Sequence, residues 1–112
     1  MEIQVHAREQ VTIVEIAGSV DSLTAETLTS AMRGEIERER SRLVADFRQV
    51  EYISSAGLRA LLATVKDARR LGGDLRLAGV SPQVLRVLEI SGFTTILNLF
   101  DEVDAAVGSF DA

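Results

Sequence analysis

Two adjacent hydroxyls, Ser54 and Ser55, precede the small pair Ala56-Gly57 and an apolar run that opens at Leu58. A serine at the start of a helix accepts a hydrogen bond from one of the first free backbone N–H groups, which contributes about 1 kcal/mol. A serine there can also carry a phosphoryl group, because free N–H groups and the positive end of the helix dipole accommodate an anion. Phosphorylation would add about −1.5 to −2 charges to a spot that is otherwise small and neutral. A partner packed closely on that spot would then meet bulk and charge. Gly57, with no side chain, would let such a partner approach closely. The residues by themselves favour the cap, and they leave open which of Ser54 and Ser55 provides it.

Other chemistry is sparse. The single histidine, His6, falls in a predicted strand near the N-terminus and reads as a surface or edge residue. A Ser-His-Asp arrangement would have to use it, and the Gly-x-Ser-x-Gly nucleophile pattern is absent. There is no Gly-x-Gly-x-x-Gly and no Walker-type loop. Gly72-Gly73 follows a helix and precedes a strand, the reverse of a phosphate-cradling turn, and reads as a helix stop. Asp101, Glu102 and Asp104 gather at a predicted helix start, where they meet the helix dipole favourably. No spacing of acids suggests general acid/base work. No catalytic residue, metal site or cofactor is expected, and the chain is read as a non-enzymatic module. With no cysteine, neither a disulfide framework nor a thiolate metal site is possible. Four Phe, one Tyr and no Trp give no platform for stacking bases.

Charge points the same way. The formal net charge is −5, whereas a nucleic-acid binder usually shows a basic patch. Arg and Glu are interleaved in Arg33-Gly34-Glu35-Ile36-Glu37-Arg38-Glu39-Arg40, which reads as a solvated helix face with i,i+4 ion pairs. No direct nucleic-acid contact is expected. Met1-Glu2-Ile3-Gln4-Val5-His6 has neither the basic nor the apolar region of a signal peptide. No window approaches the roughly 18 apolar residues of a membrane span. The expectation is a free-standing soluble protein, with a composition that fits the cytoplasm. Its 112 residues form one domain, residues 1–112.

The elements that must hold the serines follow from periodicity. Ile3, Val5 and Ala7 alternate with polar residues, and the β-branched run from Val11 to Ala17 is a second strand, with Glu9-Gln10 turning between them. Gly18 is expected to end that strand, and Asp21 or Ser22 to cap a helix carrying Leu28, Met32 and Ile36 on one stripe. Leu43 to Phe47 reads as a strand buried on both faces, and Arg48 to Tyr52 as a loop. The helix after Ser54-Ser55 carries Leu58, Leu61, Leu62 and Val65 on one face. Asp74 to Ala78 is a strand, and Ser81-Pro82 opens a short helix that Gly92 ends. Thr95 to Leu99 is expected to be a last short strand, and Asp101 to cap a final helix through Val107. The order β-β-α-β-α-β-α-β-α argues for an α/β sheet with crossover connections.

The segment Asp46 to Leu62, DFRQVEYISSAGLRALL, joins an apolar strand, a short loop, the Ser-Ser-Ala-Gly-Leu turn and an apolar helix. Upstream stand Gly18-Ser19-Val20-Asp21 and Thr24-Ala25-Glu26-Thr27-Leu28. Downstream stand Gly73 to Gly79, Ser81-Pro82 and Ser91-Gly92-Phe93. In that order and at those separations, these pieces resemble the STAS family, the bacterial anti-sigma factor antagonists, over nearly the whole length.

The resemblance implies a single STAS-type α/β domain, a mixed β-sheet flanked by about four helices, with an N-terminal β-hairpin. It implies a protein that, unphosphorylated, binds an anti-sigma factor that is also a serine kinase of GHKL type, releasing a sigma factor. Phosphorylation of Ser55, the serine two positions before the Gly, would switch it off, and a phosphatase would reverse the step. The implied partner surface comprises Asp21, Ser22, Ser54, Ser55, Gly57 and Leu58. Arg59 follows as a solvated helix residue or a counterpart to an acidic patch. One departure stands out: many members have Asp immediately before the phosphorylated serine, whereas this chain has Ser54. The acceptor is kept, an adjacent charge is lost, and Ser54 becomes a competing acceptor. A second reading is a STAS subunit of a larger assembly, such as a lipid-transport ABC complex, with Ser55 serving only as a cap. A monomer or weak dimer is expected, the free edge of the hairpin being open to another chain.

Overall fold

Alternating patterns of β-branched and polar residues build the sheet first. In the computed structural model, which describes residues 1–111, β1 (Glu2–Arg8) and β2 (Val11–Val20) form the N-terminal hairpin. They are followed by α1 (Ala25–Glu37), β3 (Arg42–Ile53), α2 (Ser55–Arg70), β4 (Asp74–Ala78) and α3 (Pro82–Ile90). A single 3-10 turn at Phe93–Thr95 leads to β5 (Asn98–Phe100), α4 (Val103–Gly108) and a second 3-10 turn at Ser109–Asp111. The strands lie in the order β1-β2-β3-β4-β5; β1 runs antiparallel to β2, and every later neighbour pair is parallel. Parallel pairs need crossovers, and α1, α2 and α3 supply them.

The two faces of the sheet are covered unequally. Val14, Ile16, Leu43, Phe47, Leu75 and Leu77 point to one face, where Leu28 and Met32 of α1, Leu61 and Val65 of α2 and Leu88 of α3 close over them. Fully burying side chains of this size contributes about 1.5–3 kcal/mol each. On the other face Val11, Ile13, Val44 and Ala78 meet only Ala106 and Val107 of α4, with Phe100, Val103 and Phe110 at the margin. The rest of that face is polar. Among the described residues, no helix is long and apolar enough to cross a membrane.

Asp74, buried at the start of β4, gathers four donors. It accepts from Arg69 Nε at 2.8 Å, Arg76 Nε at 3.0 Å, Asn98 Nδ2 at 3.1 Å and the Leu75 N–H at 2.9 Å. The end of α2 is thereby tied to β4 and β5. Burial pushes the Asp74 carboxyl up, but the hydrogen bonds from Arg76, Arg69 and Asn98 outweigh it and hold the group below the ordinary carboxylate range. Arg76 also lies over the Phe110 ring, 4.0 Å from its centroid.

The expected order of elements is observed, with several boundaries corrected. β2 does not stop at Gly18: it bulges there, with register shifts between Glu15/Ala17 and Gly18/Ser19, and runs on to Val20. Gly18 takes φ +104, which only glycine adopts easily, so it bends the strand without ending it. The expected loop from Arg48 to Tyr52 is strand, because the extension of β2 gives it a partner through Ala17↔Gln49 to Val20↔Ile53. Thr95 to Leu99 is not the last strand; Phe93–Thr95 is a 3-10 turn, and β5 begins at Asn98. The cap of α4 is Glu102 rather than Asp101, and its side chain makes no capping bond.

Candidate functional site

The carboxyl ends of β2 and β3 lie side by side. Val20 pairs with Ile53, and the next residue on each strand, Asp21 and Ser54, opens the loop into a helix. The Ser54 N–H donates to the Val20 carbonyl oxygen at 2.8 Å, so the two loops start from one hydrogen bond. In open α/β sheets this end of the parallel strands is where binding sites are built.

Asp21 folds its loop around itself. Its carboxylate accepts the N–H groups of Leu23 at 2.9 Å and Thr24 at 3.1 Å, while its own N–H donates to Thr24 Oγ1 at 2.9 Å. Thr24 Oγ1 in turn donates to the Ser19 carbonyl oxygen at 2.9 Å. The Leu23 N–H foremost holds the Asp21 carboxyl below its usual range; desolvation opposes it, and the Thr24 groups add to the lowering. It is anionic at neutral pH. Neither Asp21 nor Ser22 is the helix cap: the cap position is Thr24, whose side chain makes no capping bond. The Asp21 backbone carbonyl takes the first helical N–H, from Ala25, at 2.8 Å.

The serine pair divides its work. Ser54 is extended (φ −93, ψ 174), and its Oγ accepts the Gly57 N–H at 3.2 Å, so Ser54 is the cap of α2. Ser55 is the first residue of the helix, and it is exposed. Its hydroxyl makes no hydrogen bond within the described residues, and it stands where the N–H groups of the first turn concentrate positive potential. Arg69 and Arg70 complement the opposite end of the helix.

Gly57 and Leu58 do not lie on the outer surface expected for them. A Cβ at Gly57 would stand 2.7 Å from Ile53 Cγ1 and 2.9 Å from the Val20 carbonyl oxygen, so its missing side chain lets α2 approach the protein's own strands, not a partner. Leu58 is buried in the main core. A capped helix start turns these positions toward the sheet while Ser55 and Arg59 face solvent. Ser22 is exposed beside them, as expected.

Two residues near the site were not anticipated. Leu23 is 87% exposed, and Tyr52, at the end of β3, is 53% exposed. Their sequence signal is ambiguous, because an apolar residue just before a helix cap also fits an inward packing role. The remaining polar candidates lie elsewhere. His6 sits in β1 opposite Ile13, with Nδ1 3.4 Å from Glu15 Oε2, and Asp104 is paired with Arg8. Together with Asp46, Arg48 and Glu102 they line a shallow groove on the polar face of the sheet. Among the described residues, no group of His, Asp and Glu has the arrangement of a metal site.

Comparisons with known proteins agree with this geometry. The model of the STAS domain matches residues 2–106. A Bordetella bronchiseptica protein named as the anti-sigma factor antagonist BtrV is 37% identical over 95 residues, covering 85% of this chain and 82% of its own. The anti-sigma F factor antagonist of Paenibacillus polymyxa is 28% identical, covering 94% of this chain and 92% of its own. The crystal structure of a Thermotoga maritima protein named as an anti-sigma factor antagonist superposes with a TM-score of 0.93, covering 98% of this chain and 95% of its own, at 18% identity. With the family model spanning nearly the whole sequence and the five-stranded mixed sheet in place, this chain belongs to the STAS domain family.

Proposed function

We propose that this chain is a cytoplasmic anti-sigma factor antagonist whose partner binding is switched by phosphorylation of Ser55. The observation that carries the reading is the unequal state of two neighbouring hydroxyls: Ser54 Oγ is engaged as the helix cap, while Ser55 is exposed at the first helical position. The names of the related proteins supply the class of partner. In the unphosphorylated form, an anti-sigma factor of GHKL-kinase type docks on Ser55, Ser54, Ser22 and the Asp21 loop, and its sigma factor is released. Leu58 and Gly57 act from beneath, setting the height of the helix.

In the switching step, Ser55 Oγ attacks the γ-phosphorus of ATP, its proton passes to a base on the kinase, and ADP leaves. The resulting dianion sits beside the anionic Asp21 loop, on a surface that the partner contacts closely. Bulk and like charge then oppose docking. A phosphatase restores the hydroxyl by hydrolysis.

Incubation with the cognate kinase and ATP, followed by peptide mass spectrometry, tests the reading. One phosphoryl group on Ser55, and loss of anti-sigma factor binding by Ser55→Glu but not by Ser55→Ala, is the expected result. Phosphate on Ser54 instead, or full binding by Ser55→Glu, overturns it.

A further inference from the structure

β1 is an open sheet edge. It pairs with β2 without interruption from Glu2↔Ala17 to Arg8↔Val11, and among the described residues it has no neighbour on its other side. Proteins usually blunt such an edge with charged side chains, lysine above all, or with proline, a bulge or a covering segment. The strand EIQVHAR contains no proline or lysine, its carboxylate and guanidinium, Glu2 and Arg8, stand at its two ends, and its register carries no shift. At its centre, Val5 is 41% exposed.

The hairpin turn fixes which backbone groups are free. Glu9 and Gln10 have φ of 53 and 69, the signature of a type I′ turn. Its closing hydrogen bond makes Arg8 and Val11 a bonded pair. Alternation along the ladder then turns the N–H and C=O of Ile3, Val5 and Ala7 outward.

From this register we infer that β1 is a self-association edge, pairing antiparallel with β1 of a second copy about a two-fold axis at Val5. In that register Val5 faces Val5 of the second copy, and Ile3 faces Ala7. Glu2 faces Arg8 of the second copy at both ends of the ladder. Of the two-fold registers that use outward groups, only this one engages the whole strand and matches opposite charges. The neighbouring registers, centred on Gln4 and His6, leave Arg8 unmatched or set it against Gln4, and those centred on Ile3 and Ala7 pair still less of the strand. Arg8 also pairs with Asp104 of its own chain, but Asp104 is 80% exposed and a guanidinium has donors for both. The two sheets become continuous, and the Ser55 ends point in opposite directions, each open to a partner. The inference does not rest on the functional reading above.

Sedimentation equilibrium of the purified chain is the test. A concentration-dependent monomer–dimer equilibrium, weakened by salt, is expected. Val5→Pro removes an outward N–H that makes no bond to β2 and should leave a monomer with an unchanged circular dichroism spectrum. Glu2→Arg alone and Arg8→Glu alone place like charges opposite each other at both ends and should each weaken the dimer about tenfold. Mixing those two variants pairs opposite charges again and should yield a heterodimer of wild-type strength. A chain that stays monomeric to millimolar concentration, a dimer indifferent to the charge reversals, or one weakened by them and not restored by mixing, overturns the inference.

Discussion

Ser54 and Val20 are joined by a backbone hydrogen bond of 2.8 Å, and the cap of α2 is thereby fixed to the end of β2 rather than to its own loop alone. The side chain of Ser54 completes the junction by accepting the Gly57 N–H. Ser55, one residue on, contributes nothing comparable to folding. The two serines should therefore separate in stability measurements. Ser54→Ala is expected to lose about 1 kcal/mol in urea denaturation. Ser55→Ala should stay within about 0.5 kcal/mol of wild type, as surface substitutions do. Ser54→Asp should restore the cap, since aspartate caps as well as serine. Ser54 thus secures the helix start without placing a charge beside Ser55.

Two helical glycines make a second contrast. At Gly57 an added Cβ meets Ile53, the Val20 side chain and the Val20 carbonyl oxygen, all within 2.9 Å, and the carbonyl is backbone that cannot swing away. Gly57→Ala is expected to cost about 1–3 kcal/mol, as overpacking does. Gly34, within α1, has nothing within 4 Å of the same position. Gly34→Ala should stabilise by about 0.5–1 kcal/mol through helix propensity alone. Opposite shifts of the thermal midpoint in the two variants are the readout.

The β1–β2 turn is a further lever. Glu9 and Gln10 both hold positive φ, a region that costs ordinary residues about 1–2 kcal/mol each and that Asn-Gly occupies readily. Replacing Glu9→Asn and Gln10→Gly together should raise stability by about 1–2 kcal/mol without altering the sheet register. The gain should be visible as a higher denaturation midpoint at unchanged denaturant dependence.

Much of this architecture is legible in the sequence because local signals and tertiary demands coincide. The Ser81-Pro82 start of α3 is one case, with Ser81 Oγ accepting the Val84 N–H at 3.3 Å. The stripe of α2 is another. The second half of β3 is not legible, because Arg48-Gln49-Val50-Glu51 is polar enough to read as loop. Its strand character comes from a partner about thirty residues away that itself continues only because Gly18 bulges. The serine pair is visible as a motif, but its division into a cap and a displayed hydroxyl needs the helix start in three dimensions. The inward aim of Gly57 is hidden for the same reason: smallness marks close approach without saying which side approaches.

Acid should reveal the Asp74 cluster. The carboxyl is held below its unfolded value near 3.9 by Arg76, Arg69 and Asn98, which outweigh its burial. A depressed carboxyl stabilises the fold above the unfolded value, and that contribution is lost as pH falls through the still lower folded value. Asp46, buried but bonded by Arg48 at 2.7 Å, is shifted the same way, as is Asp21. Wild-type stability should thus fall steeply only below about pH 4. Asp74→Asn keeps the shape but loses the charge that three donors address, and should cost about 2 kcal/mol at neutral pH. Because the variant has already lost that contribution, its stability should decline less from pH 5 to pH 2 than the wild type's, while Asp46 and Asp21 preserve part of the slope. Urea titrations at a series of pH values measure both quantities, and parallel curves for the two proteins would show that Asp74 is not the group that acid releases.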